Sequence, residues 1–223
     1  GDLPFVTSIF PLGGPAGAPT TVDVTGWNLP VAQVAVDDKG QNAGVLPLSV
    51  RGEGLISNRV PFAVDTLPEC LESESKDPQG GRQQVTLPII VNGHIDPPGD
   101  RDEFLFEGRA GSEIVAEVLA RRLNSPLDSF LRLTDAGGRE LMVSDDHEDK
   151  GAGLLTHHAD SWLQFTLPAD GTYCLQLSDV QHKGGPDHAY RLRIGPPRPD
   201  FELRVVPSSI SARAGTAAPI TVY

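Results

Sequence analysis

The stretch "VNGHIDPPGDRDEFLFEGRAGSEIVAEV", residues 91–118, decides the fold class of this chain. Within it, Phe104 and Phe106 are two residues apart between Glu103 and Glu107, and Ile114 and Ala116 then repeat the same period of two. Successive side chains point to opposite faces of a strand, so a period of two predicts β-strands with one buried face. The stretch therefore indicates a sheet with an apolar inner face.

Residues 112–122, "SEIVAEVLARR", admit a second interpretation, because Ala, Glu, Leu and Arg also favour helices. Gly111 stands immediately before this segment, and Ala116 and Val118 alternate with Glu117. The same period of two in the neighbouring segments makes a strand the expected structure.

The alternation continues downstream of residue 118. Residues 129–146 predict a hairpin around the turn "DAGG", and residues 161–179 predict two strands joined across "PADG". The segment "HAYRLRIG", residues 188–195, closes the pattern with its apolar side chains inward. Arg191 and Arg193 then point outward, and we expect them to form a solvated cationic patch.

The chain divides into four parts by composition and pattern. Residues 1–66 contain five or six short alternating segments and predict a small immunoglobulin-like β-sandwich. Residues 67–84 are an acidic linker without apolar periodicity, and residues 85–195 predict a jelly-roll β-sandwich. Residues 196–223 alternate again, as the start of a further β domain that is truncated. The predicted fold class is all-β, with two consecutive β-sandwiches and a C-terminal strand segment.

The first sandwich resembles immunoglobulin-like domains of the IPT/TIG type. The resemblance rests on "FVTSIFPLGGPAGAPTTVDVTGWNL", in which a Pro-Gly segment, a strand and a turn follow in that order. Gly26, Asn28 and Leu29 match the family's turn.

Residues 85–195 resemble the bacterial pre-peptidase C-terminal (PPC) domain. The resemblance is carried by four motifs in order, "VNGHIDPPGDRDEFLFEGRAGSEIVAEV", "SPLDSFLRLTDAGGRELMVSDD", "LPADGTYCLQLSD" and "AYRLRI". Phe104 stands where the family usually has Tyr, and Cys174 falls within the strand that begins at Tyr173. The resemblance implies a noncatalytic β-sandwich of the kind appended to secreted peptidases.

Charge and hydropathy exclude two classes of partner. The formal net charge of −12 argues against nucleic acid, whose phosphates require a basic surface. No apolar run approaches the roughly 20 residues of a membrane span, so no membrane insertion is expected. An acidic surface instead suits divalent cations such as calcium.

The chain has two cysteines, Cys70 and Cys174, which lie far apart in the sequence. They would form one disulfide in an exported protein, and two free thiols fit the sequence equally well.

Residues 141–165 contain five carboxylates and three histidines, the densest cluster of reactive side chains in the chain. The cluster has no GxSxG or HExxH motif, and adjacent His157 and His158 would point to opposite faces of a strand. A polar connection between strands is the favoured interpretation, and catalysis is the least favoured. The alternative metal site here would use Asp128, Asp145 and Asp146, with Asp149 and Asp160 as further candidates.

A second acidic set lies in the linker and in the turn before a strand. Glu72 and Glu74 have an i, i+2 spacing, and Asp100 and Asp102 repeat it. Collagen-binding domains of clostridial collagenases resemble PPC domains, and their matching acidic positions chelate calcium. That resemblance implies a calcium site made by Glu72, Glu74, Asp77, Asp100 and Asp102. Lys76 departs from the pattern and would oppose a cation, and ordinary surface acids are the alternative.

The two tryptophans, Trp27 and Trp162, are candidates for stacking on a sugar or a peptide. Half-buried packing is the alternative for both. Trp162 is the better candidate for exposure, and so for ligand binding, because it lies on the strand face opposite Leu163 and Phe165.

The sequence thus predicts a noncatalytic spacer, adhesion or stability module of a large exported bacterial protein, appended to a secreted peptidase. Its expected partners are the neighbouring domains of the full-length chain, and calcium is its candidate cofactor. The alternative function is a calcium-dependent module that binds extracellular polysaccharide or protein. The expected location is extracellular, periplasmic or at the cell surface.

Overall fold

The computed structural model describes residues 3–37, 42–52, 54–73, 81–148, 157–198, 205–206 and 210–222. Glu74 and Asp77, two of the predicted calcium ligands, lie outside these residues, as does Asp149. The described residues form strands and one short 3-10 helix, so the predicted all-β fold class is confirmed.

The first sandwich consists of two three-stranded sheets and a small hairpin. The sheets have the strand orders β1-β3-β4 and β2-β8-β5, and β6 pairs with β7. The strands are β1 (Phe5–Phe10), β2 (Gly13–Pro15), β3 (Thr20–Trp27), β4 (Gln33–Val36), β5 (Gly44–Leu48), β6 (Arg51–Gly52), β7 (Leu55–Ile56) and β8 (Val60–Asp65). Val22 and Val24 of β3 and Phe62 of β8 are buried between the sheets, as the alternation predicted.

The second sandwich consists of two five-stranded sheets, with the orders β10-β12-β19-β14-β15 and β18-β13-β20-β11-β9. Its elements are β9 (Glu69–Leu71), β10 (Gln83–Gln84), β11 (Ile89–His94), β12 (Arg101–Gly108), β13 (Glu113–Leu119), a 3-10 helix (Arg121–Leu123), β14 (Ser129–Asp135), β15 (Glu140–Ser144), β16 (His147–Glu148), β17 (His157–His158), β18 (Trp162–Thr166), β19 (Gly171–Asp179) and β20 (Ala189–Gly195). The C-terminal segment adds β21 (Val205–Val206) and β22 (Thr221–Val222), which pair with each other.

The core of the second sandwich follows the two-residue period read from the sequence. Phe104 and Phe106 of β12 lie opposite Leu175 and Tyr173 of β19, and all four are buried. Residues 113–119 form strand β13, and the helical alternative is wrong apart from the single 3-10 turn that follows.

The predicted linker contributes two strands to the second sandwich. Strand β9 pairs in parallel with β11, and β10 pairs in parallel with β12, at the edges of the two sheets. Neither strand has an apolar alternation, because each is only two or three residues long and lies at an edge.

The prediction of a solvated patch at Arg191 and Arg193 is wrong. Both side chains do point away from the core of the second sandwich, but they are only 1% and 8% exposed. The first sandwich covers this face of the sheet, and Arg191 Nη2 donates a hydrogen bond to the carbonyl oxygen of Gly14 at 3.5 Å. Strand alternation sets the side of a sheet, but it does not predict which side another domain will cover.

The two sandwiches also share apolar packing. Leu123 and Ala189 of the second sandwich are buried within the core cluster of the first, and Leu119 packs against that cluster. At the end of β20 the guanidinium of Arg198 donates two hydrogen bonds, each of 2.9 Å, to the carboxylate of Asp65 in β8. Apolar contacts and ion pairs therefore hold the sandwiches together.

Candidate functional site

Three of the predicted calcium ligands come together in the structure. Glu72 follows β9, Asp100 ends the turn before β12, and Asp102 lies within β12. One carboxylate oxygen from each residue lies within 4.8 Å of the other two. We call this set the acid pocket.

Backbone donors and one tyrosine hold the side chains of the acid pocket. Glu72 Oε2 accepts a hydrogen bond from His94 N at 2.8 Å, and the amide of Glu72 donates to the carbonyl of Asn92 at 2.8 Å. The hydroxyl of Tyr190, on β20, donates to Asp102 Oδ2 at 2.7 Å. The pocket thus joins the linker to β11, β12 and β20.

Gly93 is the residue that gives the acid pocket its space. A Cβ at this position would lie 2.2 Å from Glu72 Oε2 and 2.4 Å from the hydroxyl of Tyr190. Real Cβ atoms do not approach other heavy atoms so closely, so any larger residue would displace a carboxylate or the tyrosine. Glycine is therefore required here by close packing.

Burial and neighbouring carboxylates perturb the charge of the pocket. Asp102 is 8% exposed, and desolvation together with the charge of Glu72 raises its pKa to about 9. Desolvation and the two carboxylates also raise the pKa of Tyr190 well above its usual value. At neutral pH Asp102 therefore holds a proton unless a cation lies beside it.

The acid pocket contains oxygen ligands of the kind that calcium binds. Calcium prefers carboxylate and carbonyl oxygens from irregular segments, and the pocket offers three carboxylates at the junction of a linker, a turn and a strand start. A divalent cation would offset the mutual repulsion of Glu72 and Asp102. Glu72, Asp100 and Asp102 are the described residues that would hold it.

The second predicted acidic set also converges. Oxygen atoms of Asp128, Asp145 and Asp146 lie within 4.8 Å of one another, at the ends of β14 and β15. Asp145 and Asp146 are exposed, and Asp128 Oδ2 accepts a hydrogen bond from Gln181 Nε2 at 3.1 Å. Slight burial and the two neighbouring carboxylates raise the pKa of Asp145. Solvent reaches these carboxylates more easily than those of the acid pocket.

Asp160, from the densest acidic stretch, has a structural role. It is fully buried, and Oδ1 accepts hydrogen bonds from the amides of Ala120 and Arg121 at 3.1 and 2.6 Å. Its Oδ2 accepts hydrogen bonds from the amide and Nε of Arg122 at 3.2 and 2.8 Å. The carboxylate therefore caps the 3-10 turn that follows β13.

The hydroxyl groups beside Asp160 also bind main chain. Ser161 Oγ donates to the carbonyl of Asp145 at 2.6 Å and lies 2.9 Å from Ser129 Oγ, and both serines are fully buried. These contacts join β14, β15 and β18. Residues 149–156 of the stretch lie outside the described residues.

Sequence reasoning missed the buried ion pair at the domain junction. Arg191 Nη1 donates to Glu69 Oε2 at 2.7 Å and to Asn92 Oδ1 at 2.9 Å, and Nη2 donates to Glu69 Oε1. Glu69 belongs to the linker and Asn92 to β11. The acidic residue at the start of an otherwise unpatterned linker was the only available signal.

The two tryptophans have different environments. Trp27 is 66% exposed and stacks on Phe5, with ring centroids 5.9 Å apart. Trp162 is half-buried, and its ring lies 5.3 Å from that of His147. Trp162 was predicted to be the better candidate for exposure, and this is wrong, because the first sandwich and β16 lie beside it.

Trp162 lines a cleft of about 580 Å³ between the two sandwiches. Strands β5 and β8 of the first sandwich form one wall, and β13, β18 and β20 form the other. We call this space the interdomain cleft.

The two cysteines are both free thiols. Cys174 is buried and Cys70 is half-buried, and burial raises the pKa of each thiol. The disulfide alternative therefore does not apply to this structure.

Comparisons with known proteins give similarities to parts of the chain. No family model matches the chain. A probable subtilase-type serine protease of Deinococcus radiodurans is 45% identical over 82 residues, which cover 36% of this chain. The match spans only 10% of that protease.

Solved structures similar to the chain include the pre-peptidase C-terminal domain of a collagenase from Bacillus anthracis. It has 15% identity and a TM-score of 0.38, and the match covers 54% of this chain and 99% of that domain. A mutant of PliG, a periplasmic inhibitor of g-type lysozyme from Escherichia coli, has 16% identity and a TM-score of 0.32, with coverage of 57% and 97%.

The chain is a tandem of β-sandwiches, and a pre-peptidase C-terminal domain is among the solved structures to which the chain is similar. No comparison tests the IPT/TIG resemblance of the first sandwich, which stays a prediction. Among the described residues no helix is long and apolar enough to cross a membrane.

Proposed function

We propose that this chain is a noncatalytic module of a large exported bacterial protein that carries a secreted peptidase. The similarity to part of a subtilase-type protease supports the peptidase context. The module would act as a spacer and stability element, with a fixed angle between its two sandwiches.

The observation that carries this proposal is the junction between the sandwiches. Arg191 is buried there between Glu69 and the carbonyl of Gly14, while Leu123 and Ala189 complete the core of the first sandwich. A junction that combines shared apolar packing, the hydrogen bond from Arg191 to Gly14 and the ion pair of Arg198 with Asp65 resists bending, which is the property that a spacer requires. The reactive side chains of Asp160 and Ser161 are occupied in holding main chain, which supports a noncatalytic role.

Small-angle X-ray scattering of the purified chain tests whether the two sandwiches keep a fixed orientation, as the proposed spacer role requires. The profile should match one orientation of the sandwiches, and Arg191→Met should broaden the distribution of interdomain distances. Arg132→Met, in an exposed ion pair with Glu140, is the matched control and should leave the profile unchanged. A broad distribution for the unmodified chain would contradict the proposal.

A second candidate function, a calcium-dependent binding module, is favoured by the acid pocket. Calcium bound by Glu72, Asp100 and Asp102 would neutralise the pocket and fix the linker to β12. Melting scans with calcium and with a chelator test this. Calcium should raise the melting temperature, and Glu72→Gln should remove most of that rise.

The control for the calcium experiment is the more exposed acidic set. Asp145→Asn should retain the calcium-dependent rise, since Asp145 lies outside the acid pocket. Asp102→Asn should abolish the rise but increase stability in chelator, because it removes a buried group whose ionisation is unfavourable. Equal melting with calcium and chelator in the unmodified chain would exclude the acid pocket as a calcium site.

A further inference from the structure

The interdomain cleft is lined by polar and aromatic side chains, and one of them, Gln164, donates from Nε2 to Glu113 Oε1 at 2.5 Å. In the register of the second sandwich, Glu117 of β13 lies between Trp162 of β18 and Arg193 of β20. Neighbouring strands are about 4.8 Å apart, so these three side chains form a continuous row. Gln164, paired with Val115, begins the next row.

These side chains face the first sandwich. Leu163 and Leu192 alternate with them along their strands and are fully buried in the core of the second sandwich. The row therefore occupies the opposite face, which the first sandwich covers only in part. Val45 of β5, which is 59% exposed, lies on the facing wall of the cleft.

Most charges around the cleft are in ion pairs, and Arg193 Nη2 donates to the carbonyl of Pro196 at 2.6 Å. Arg122 Nη2 lies 3.0 Å from Glu117 Oε1, and Arg198 is paired with Asp65. Arg191 is paired with Glu69 at the back of the cleft. A strongly charged ligand would meet little excess of opposite charge here, whereas a neutral ligand rich in hydroxyl groups would meet both donors and acceptors.

We propose that the interdomain cleft binds a neutral oligosaccharide. The indole of Trp162 would contact the apolar face of a sugar ring, because an aromatic ring offers a flat apolar surface with a polar edge. The carboxylate of Glu117 and the amide of Gln164 would bind its hydroxyl groups. The volume of about 580 Å³ and the position between two domains are typical of small-ligand sites.

This inference rests on the proposed role as a noncatalytic module, and specifies a ligand class for its binding function. The site requires both sandwiches, because the wall opposite Trp162 belongs to β5. It does not involve the acid pocket, so sugar binding and the calcium-dependent melting shift can succeed or fail separately.

Fluorescence titration of the full chain tests the proposal. Trp27→Phe leaves Trp162 as the single tryptophan, so the emission reports on the cleft. The probes are cellotetraose, chitotetraose and maltotetraose, and a blocked hexapeptide of alternating Val and Thr. At least one tetrasaccharide should change the emission in a saturable way, and the hexapeptide should not.

Variants of both walls then locate the site, with calorimetry as the readout. Trp162→Ala and Glu117→Gln should each weaken binding about tenfold or more, as for central residues of binding sites. Val45→Arg should also weaken it, and Val143→Arg, at another exposed position on β15, should not. Trp27→Ala is the matched control for loss of an exposed tryptophan and should bind as the unmodified chain does.

Three results would overturn the proposal. They are saturable binding of the hexapeptide instead of a sugar, sugar binding that survives Trp162→Ala in a folded protein, and no binding of any tetrasaccharide at millimolar concentration. Circular dichroism of each variant shows whether it is folded.

Discussion

Arg191 and Glu69 form a buried bidentate ion pair, although 122 residues separate them in the sequence. Their side chains are 2% and 9% exposed. Because Arg191 also binds Asn92 and the carbonyl of Gly14, one guanidinium connects the linker and both sandwiches.

Glu69→Ala should lower the free energy of unfolding by about 3–5 kcal/mol, because it leaves the Arg191 charge buried without its carboxylate. Urea denaturation measures the change. Glu140→Ala removes an exposed partner of Arg132 and should cost about 0–1 kcal/mol. Equal effects of the two variants would contradict the importance of the buried pair.

Gly93→Ala should destabilise the protein by about 1–3 kcal/mol, the usual cost of overpacking, and should also weaken calcium binding. The reason is the clash of its Cβ with Glu72 and Tyr190. Gly137→Ala is the matched control, since the nearest atom to its Cβ is Asp135 Oδ1 at 3.3 Å. Thermal melting in calcium and in chelator measures both effects, and a stable Gly93→Ala protein would argue against the packing described.

The stability of the calcium-free protein should fall as the pH rises toward 9. The folded pKa of Asp102 is about 9, above its ordinary value of 3.8, so the folded state binds the extra proton between these values. The contribution of protonated Asp102 to the free energy of unfolding is therefore fully present below a pH of about 4. It is lost as the pH rises through the folded pKa of Asp102. Urea denaturation at several pH values in chelator measures it.

Calcium binding should show the opposite trend with pH. Binding to the ionised pocket releases the proton of Asp102, so calcium affinity should rise by up to about tenfold per pH unit below pH 9.

Asp102→Asn is the control for the calcium-free protein, and it should flatten the dependence of the free energy of unfolding on pH in chelator. A profile that is unchanged by this substitution would show that another group is responsible.

Asp160→Ala should cost about 2–4 kcal/mol, because three amides and Arg122 Nε lose a buried acceptor. Asp170, which accepts one exposed hydrogen bond from the amide of Ala110, provides the control, and its alanine variant should cost less than about 1 kcal/mol. Denaturant titration measures both. A cost for Asp160→Ala as small as that of the control would contradict its capping role.

Alternation was sufficient to predict most strands of both sandwiches. Leu192 reveals its buried face through a polar neighbour on either side, and Phe104 and Phe106 reveal theirs through their spacing of two residues between Glu103 and Glu107. The same rule does not predict the strand at Glu69–Leu71, because three residues at a sheet edge are too few to show a period. That strand depends on pairing with β11 and on the contact of Glu69 with Arg191, which are both distant in sequence.

The candidate sites were predictable to different degrees. Spaced carboxylates indicated Glu72, Asp100 and Asp102, and the structure brings these three together. Their dependence on Gly93 and Tyr190 was not predictable, because both residues read as ordinary strand positions. The interdomain cleft could not be predicted from the sequence either. Trp162 and Glu117 face the first sandwich, whose position depends on contacts such as that of Arg191 with Gly14.

Leu123 and Ala189 of the second sandwich complete the apolar core of the first, so the smallest fragment that can be transferred to another protein contains both sandwiches. A cut between the sandwiches would expose these side chains to water on one fragment and open the interior of the other. Engineers who graft this module onto another enzyme should therefore move both sandwiches as a single cassette.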